Sequence, residues 1–207
     1  MPVGVPKVSY VVPGEDEATW IELYQQLFYE RKIFLCQVIN RELGNQVAGM
    51  MIHLNLDNKK KDFHLFINSP GGSLLFGMAI FDIVQTVQAD VNTICIGLAA
   101  SMANLILAGG TNTKRVAFPH AKTLLYYTLR MMLHEPGSSY FDGKTDYCLM
   151  ETDELLHYQH AMIRSYSEIT HKPEWQVNED MFRDSFMSPE EAQAYGIIDG
   201  LSYSLTW

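Results

Sequence analysis

Two strand–turn–helix units stand back to back in the middle of this 207-residue chain, and no other feature narrows its fold as far. Asp62-Phe63-His64-Leu65-Phe66-Ile67-Asn68 is an apolar, aromatic-containing run that reads as a strand. Ser69-Pro70-Gly71-Gly72 breaks it, and Leu75 to Val87 repeats its apolar residues at helical spacing. Val91-Asn92-Thr93-Ile94-Cys95-Ile96-Gly97 then reads as a second buried strand, Leu98-Ala99-Ala100 as its turn, and Ser101 to Leu107 as a small-residue helix. Two such units within about 50 residues imply parallel strands joined by crossover helices, and so an α/β fold.

The rest of the chain adds helices around that centre. Glu15 to Arg31 reads as a helix with Trp20, Leu23, Tyr24 and Leu27 on one stripe, and a second helix starts near Arg41. Thr145 to Thr170 reads as one long helix with Leu149, Leu155, Leu156, Met162 and Ile163 as its apolar positions. Ser188-Pro189-Glu190-Glu191 is a capping box with proline at the first helical position, and Gly196 ends that helix. No internal repeat and no linker divides the sequence, so residues 1–207 are expected to form a single domain.

Composition excludes several functions. With 47% hydrophobic and 19% charged residues the chain is globular, and its net charge of −9 counts against nucleic acid as a partner. It has no zinc-type Cys/His spacing and no run of 18 or more apolar residues. Cys36, Cys95 and Cys148 are few and scattered, as expected of reduced thiols. No Gly-x-x-x-x-Gly-Lys-[Ser/Thr] loop is present, so ATP hydrolysis through a P-loop must be supplied by another protein.

Three stretches then carry chemistry. Leu98-Ala99-Ala100-Ser101-Met102-Ala103, Met132-Leu133-His134-Glu135-Pro136 and Arg183-Asp184-Ser185-Phe186-Met187-Ser188 supply a serine, a histidine and an aspartate in that order. A serine hydroxyl needs a base to take its proton, histidine has the suitable pKa, and a carboxylate fixes the imidazole tautomer. Ser101 falls at a strand-to-helix turn, which exposes a hydroxyl and aims helix N–H groups at developing negative charge. The oxyanion needs two N–H donors; Gly72 offers one with no Cβ in the way, and Met102 offers another as the residue after the nucleophile. Ala99 and Ala103 stand where an α/β-hydrolase elbow has glycines, which argues against a lipase or esterase of that fold. Among the other histidines, His53, His120, His157, His160 and His171 lack the apolar lead-in that Met131-Met132-Leu133 gives His134. Asp180 is the nearest rival to Asp184, and a surface salt bridge is its plainer role.

The ordered motifs Ser-Pro-Gly-Gly (69–72), Ala-Ala-Ser-Met (99–102), Leu-His-Glu-Pro (133–136) and Arg-Asp-Ser-Phe-Met-Ser (183–188) resemble the proteolytic-subunit family of the ATP-dependent Clp protease, ClpP, over nearly the whole chain. Met1 to Val8 and Glu191 to Asp199 look like its plastid-encoded members. The resemblance implies a ClpP/crotonase-like spiral of repeated β-β-α units. Residues 1–13 would form an N-terminal axial segment, and about 145–170 a protruding handle helix through which two rings meet. It makes Ser101 the nucleophile, His134 the general base and Asp184 the orienting carboxylate, with Gly72 and Met102 as oxyanion donors. No cofactor and no metal is implied. The implied partners are homologous subunits in stacked seven-membered rings, a ring ATPase of the Clp/Hsp100 type and unfolded polypeptide substrates, with neither nucleic acid nor membrane. Phe66, Ile94, Ile96, Val116 and Phe118 correspond to the family's apolar pocket for ATPase loops, while His64 and Thr86 occupy positions where relatives often carry aromatics. The start of the chain lacks a signal or transit peptide, which fits synthesis inside a plastid and a place in the stroma if this is the primary product; a trimmed mature chain is the alternative.

The chain also departs from that pattern. Ser101 and His134 are 33 positions apart and His134 and Asp184 are 50 apart; the first gap is about eight residues longer than the family's, within reach of a loop insertion. The extra residues fall near Lys122 to Leu129. An alignment without an insertion would put Tyr126 at the base position, but Arg130-Met131-Met132-Leu133-His134-Glu135-Pro136 fits the histidine motif far better. Ala103 replaces a glycine and Glu135 a glutamine, and neither change removes a catalytic group. Two alternatives to an active endopeptidase subunit are a structural subunit of a mixed ring, impaired by the insertion, and a crotonase-type acyl-CoA enzyme.

Overall fold

The structure is a computed structural model that describes residues 4–11, 17–124, 145–181 and 186–203. Its centre is a sheet in which β3 (Lys32–Leu35), β4 (Phe63–Ser69) and β5 (Val91–Ala100) run parallel, as the two strand–helix units require. The crossover between β3 and β4 is α2 (Arg41–Asp57), and that between β4 and β5 is α3 (Leu74–Thr86). Asn40 starts α2 by accepting the Leu43 N–H on its side chain at 2.9 Å. The helices close over one face of the sheet, where Val47, Met51, Leu54, Ile80 and Val84 pack against Leu35, Leu65 and Ile67 in one continuous core.

Strand β5 is the longest and branches. Thr93–Cys95 pair with β6 (Arg115–Ala117), whereas Leu98–Ala100 pair with β7 (Lys122–Leu124), both in parallel. Leu98-Ala99-Ala100, expected to be a turn, therefore belongs to the strand. Small side chains there satisfy a ladder as readily as a turn, and pairing with β7 selects the ladder. Between Ile67 and Ser69 the register of β4 on β5 slips, because Ser69 pairs with Ala99 while Ile67 pairs with Cys95. The Asn68 side chain accepts the Leu98 N–H at 3.0 Å across the irregularity. Lys122–Leu124, assigned above to the start of the inserted stretch, is β7 itself, and 125–129 lie outside the described residues.

The remaining elements are α1 (Leu23–Tyr29), α4 (Met102–Ala108), α5 (Thr145–Thr170), α6 (Glu174–Met181), β8 (Phe186–Met187), α7 (Pro189–Tyr195) and β9 (Gly200–Leu201). Helix α5 spans the expected residues. Met162, Ile163 and Tyr166 are buried against the core, whereas Leu156, expected on the same apolar stripe, is exposed. The capping box on α7 forms as expected, with Glu191 N–H donating to Ser188 Oγ and the Ser188 N–H to the Glu191 carboxylate, and Gly196 closes the helix at φ 98°.

The expected helix from Glu15 to Arg31 is a correction. Ala18–Glu22 forms β2, paired antiparallel with β1 (Lys7–Val11), and among the described residues of that stretch only Leu23–Tyr29 is helical. Trp20 and Tyr24 are exposed, so the stripe they were to share with Leu23 and Leu27 does not exist. Thr-Trp-Ile favours a strand once Ser9 and Tyr10 lie alongside to pair with it.

Candidate active site

Between β5 and α4 the chain turns on one residue. Ser101 has φ 55° and ψ −128°, a backbone region that side chains other than glycine rarely enter and that costs about 1–3 kcal/mol. Its surroundings hold it there: the Asn104 and Leu105 N–H groups donate to the Ser101 carbonyl at 2.9 and 3.3 Å, and every residue of α4 is buried. A trans peptide points its C=O and N–H in opposite directions, so fixing the Ser101 carbonyl fixes the direction of the Met102 N–H. That N–H stands at the first position of α4, where no intrahelical acceptor exists.

The Ser-Pro-Gly-Gly loop closes on this turn. Ser69 Oγ donates to the Gln37 carbonyl at 2.6 Å and accepts the Gly71 N–H at 3.1 Å, which ties the loop to the end of β3. Gly71 adopts φ 90°, and a Cβ built on it would lie 2.7 Å from Ser101 Cβ and 2.8 Å from Ser101 Oγ. Gly72 adopts φ 146° and forms a parallel bridge with Ile39, in which Ile39 N–H donates to Gly71 C=O and Ser73 N–H to Ile39 C=O. A Cβ on Gly72 would strike the Ile39 carbonyl. Ile39 uses both of its groups on residues 71 and 73, so the bridge leaves Gly72's own N–H unused. Sequence reasoning named Gly72 as a donor and missed Gly71 as the residue whose lack of a side chain makes room for Ser101. The available signal was the doubled glycine, of which Gly71 supplies clearance for Ser101.

The pairing of β7 with β5 and β8 brings Phe186 and Met187 to this end of the sheet. Ala100 is in register with Leu124, and Leu124 is in register with Phe186, so one row joins the residue before Ser101 to the residue two after Asp184. His134 and Asp184 themselves lie outside the described residues, as do Glu135 and Tyr126. The five competing histidines are all on the surface, His53 stacked on Phe28. Asp180 is not the exposed ion-pair carboxylate expected of it, because it accepts the Tyr195 hydroxyl at 2.9 Å between α6 and α7. Cys95 is a buried thiol whose pKa burial pushes up to about 11, so it is inert at neutral pH. Among the described residues no group of three or more His, Cys, Asp or Glu is placed to hold a metal, and no helix is long and apolar enough to cross a membrane.

A positive-φ serine at a strand-to-helix turn, backed by a glycine loop, is arranged for attack by its hydroxyl. Comparison with known proteins gives the family of the chain. The family model for the Clp protease matches residues 14–204. The chain belongs to the Clp protease family. Over 199 residues it is 50% identical to the "ATP-dependent Clp protease proteolytic subunit" of Lotus japonicus, covering 96% of this chain and 97% of that one. It is 48% identical over 206 residues to the protein of the same name from Anthoceros angustus, covering 100% and 97%, and 51% identical over 199 residues to that of Sorghum bicolor, covering 96% and 88%. These are plant relatives, as the ends of the chain led one to expect. The match favours neither the acyl-CoA reading nor an impaired subunit.

On the opposite side of the sheet this Clp-family chain carries a cavity of about 520 Å³ lined by Leu27, Lys32, Phe34, His64, Phe66, Ile96 and Phe118. Three of the five residues assigned above to a docking pocket are there. Ile94 shares the row Phe34–Phe66–Ile94–Val116 but is fully covered, so it is core, and neither it nor Val116 lines the cavity. Thr86 is exposed on α3, donates to the Asp82 carbonyl and takes no part. His64 does take part; burial first and then the Lys32 charge hold its imidazole below the usual histidine range.

Proposed function

We propose that this chain is a proteolytic subunit of a Clp-type serine endopeptidase, with Ser101, His134 and Asp184 as its catalytic residues. In this reading His134 takes the Ser101 proton as the hydroxyl oxygen attacks a peptide carbonyl, and Asp184 orients the imidazole and stabilises its charged form. The backbone N–H groups of Gly72 and Met102 receive the oxyanion, each worth roughly 10²–10³ in rate. His134 then gives the proton to the leaving amine, and water cleaves the acyl-enzyme by the same route. The observation that carries the reading is the strained backbone of Ser101, φ 55° and ψ −128°, with Gly71 lying against its hydroxyl. Strain of that kind persists in a folded protein where the surroundings over-determine it, and it concentrates at sites of chemistry.

The substrate is unfolded polypeptide, and no cofactor is needed. Residues 1–207 work as one peptidase domain in stacked seven-membered rings in the plastid stroma, with homologous subunits beside this one. A ring ATPase supplies the unfolding, and the cavity around Phe66, Ile96 and Phe118 is the surface on this chain that suits its apolar loops. A fluorophosphonate probe applied to the assembled particle tests the central claim. Covalent label on Ser101, lost in Ser101→Ala, is expected; an unlabelled Ser101 in a fully assembled ring would make the chain a non-catalytic subunit instead.

A further inference from the structure

Helix α4 is wholly buried, and six of its seven residues are apolar; the exception is Asn104, which is 0% exposed. Its side-chain Nδ2 donates to the hydroxyl of Tyr166 at 3.2 Å, and Tyr166, on α5, is also 0% exposed. Its Oδ1 is buried without a hydrogen-bond partner among the described residues. A buried carbonyl left unpaired costs about 1–3 kcal/mol, and an apolar side chain of similar branching would avoid that cost. The amide is therefore a poor choice for packing alone.

Its backbone links it to the nucleophile. The Asn104 N–H holds the Ser101 carbonyl at 2.9 Å, and that carbonyl shares a peptide plane with the Met102 N–H. Asn104 thus has one hook on the turn and a second, through its side chain, on α5. We infer that Asn104 is a positioning residue: bonded to Tyr166, it holds the first turn of α4 against α5 and so keeps the Ser101 hydroxyl and the Met102 N–H at the separation the reaction requires. The inference rests on the reading of Ser101 as nucleophile. Tyr166 anchors the arrangement well because its ring is fixed by the core, and its hydroxyl has no route to solvent.

The experiment compares Asn104→Leu and Tyr166→Phe with the unsubstituted chain in assembled particles, reading the rate of fluorophosphonate labelling at Ser101 and the kcat and KM for a short peptide. Tyr166→Phe keeps the ring in place, Asn104→Leu keeps the branched shape with a larger volume, and both remove the hydrogen bond. The expected result is a fall of roughly tenfold in kcat and in labelling rate with KM unchanged, as for a displaced oxyanion donor. The unfolding midpoint of Asn104→Leu changes little, since the unpaired carbonyl is gone while the Tyr166 hydroxyl loses its donor, and the double substitution is no slower than the slower single one. A purely structural role would lower the midpoint and leave kcat unchanged, which would overturn the inference, as would labelling of both variants at the unsubstituted rate. If Asn104→Leu does not assemble, Tyr166→Phe alone decides by the same readouts. Failure of the unsubstituted chain to label at Ser101 would overturn the peptidase reading, and with it this one.

Discussion

Gly71 and Ser101 share a space that holds only one side chain: a methyl group on the glycine would sit 2.8 Å from the serine Oγ. The two residues are thirty positions apart, and they meet because Ser69 pairs with Ala99 and so brings the ends of β4 and β5 level. Gly71→Ala adds both that clash and the strain of a side chain at φ 90°. The expected outcome is a loss of peptidase activity of about 10²-fold or more, with a drop in stability of roughly 1–3 kcal/mol. Peptide hydrolysis and thermal unfolding of the same preparation check both parts.

At Ser101 the backbone strain belongs to the site and not to the serine side chain. Ser101→Gly relieves it, because glycine enters φ 55° freely, whereas Ser101→Ala retains it. Both variants lose catalysis, yet the glycine variant is expected to be the more stable of the two by about 1 kcal/mol after allowance for the entropy of glycine in the unfolded chain. Denaturant titration of the pair measures the difference, and an alanine variant equal to or more stable than the glycine variant would refute the strain argument.

Arg115 is buried and bound to Asp199 through Nε at 3.0 Å and through a terminal nitrogen at 2.6 Å, while its backbone N–H also donates to that carboxylate. Burial alone would raise the Asp199 pKa, but the hydrogen bonds and charge of Arg115 outweigh it and hold the carboxyl below its ordinary value. A depressed carboxylate stabilises the fold above its unfolded pKa of about 4, and that contribution is lost as pH falls through the lower folded value. Asp199→Asn leaves a buried guanidinium without its charge partner and is expected to cost about 3 kcal/mol at pH 7. The cost shrinks toward pH 3, and urea unfolding at the two pH values tests the sign.

The capping box of α7 gives a smaller effect. Ser188→Ala removes the acceptor for the Glu191 N–H and is expected to cost about 1 kcal/mol. For a domain of this size that corresponds to a fall of about 2–4 °C in the unfolding midpoint, measurable by calorimetry.

Elements whose apolar rhythm is strong and whose ends carry their own signals were legible along the chain. Helix α5 spans the residues its pattern marks, α3 and α4 lie within one residue of theirs, and the Ser188–Glu191 cap forms from groups three residues apart. Ser101 at a strand-to-helix junction was equally readable, since a β-branched run followed by small residues marks the junction. Three other features depend on partners distant in sequence. Trp20 joins a strand because Ser9 stands beside it; Leu98-Ala99-Ala100 extend β5 because Lys122–Leu124 supply a ladder; and Ile94 is core because its neighbours cover it. Local pattern cannot distinguish these outcomes, because the deciding hydrogen bonds and buried area come from elsewhere in the chain.

The order of residues by itself determined the α/β class, the parallel centre and the identity of the candidate nucleophile, all of which follow from interactions within a few residues. Only the tertiary structure decided that Ser101 is held at a positive φ, that Gly71 is the residue making room for it, and that a buried asparagine ties its helix to α5. Each of these is a contact across thirty or more positions or a conformation imposed by such contacts, and packing energy rather than local propensity selects it.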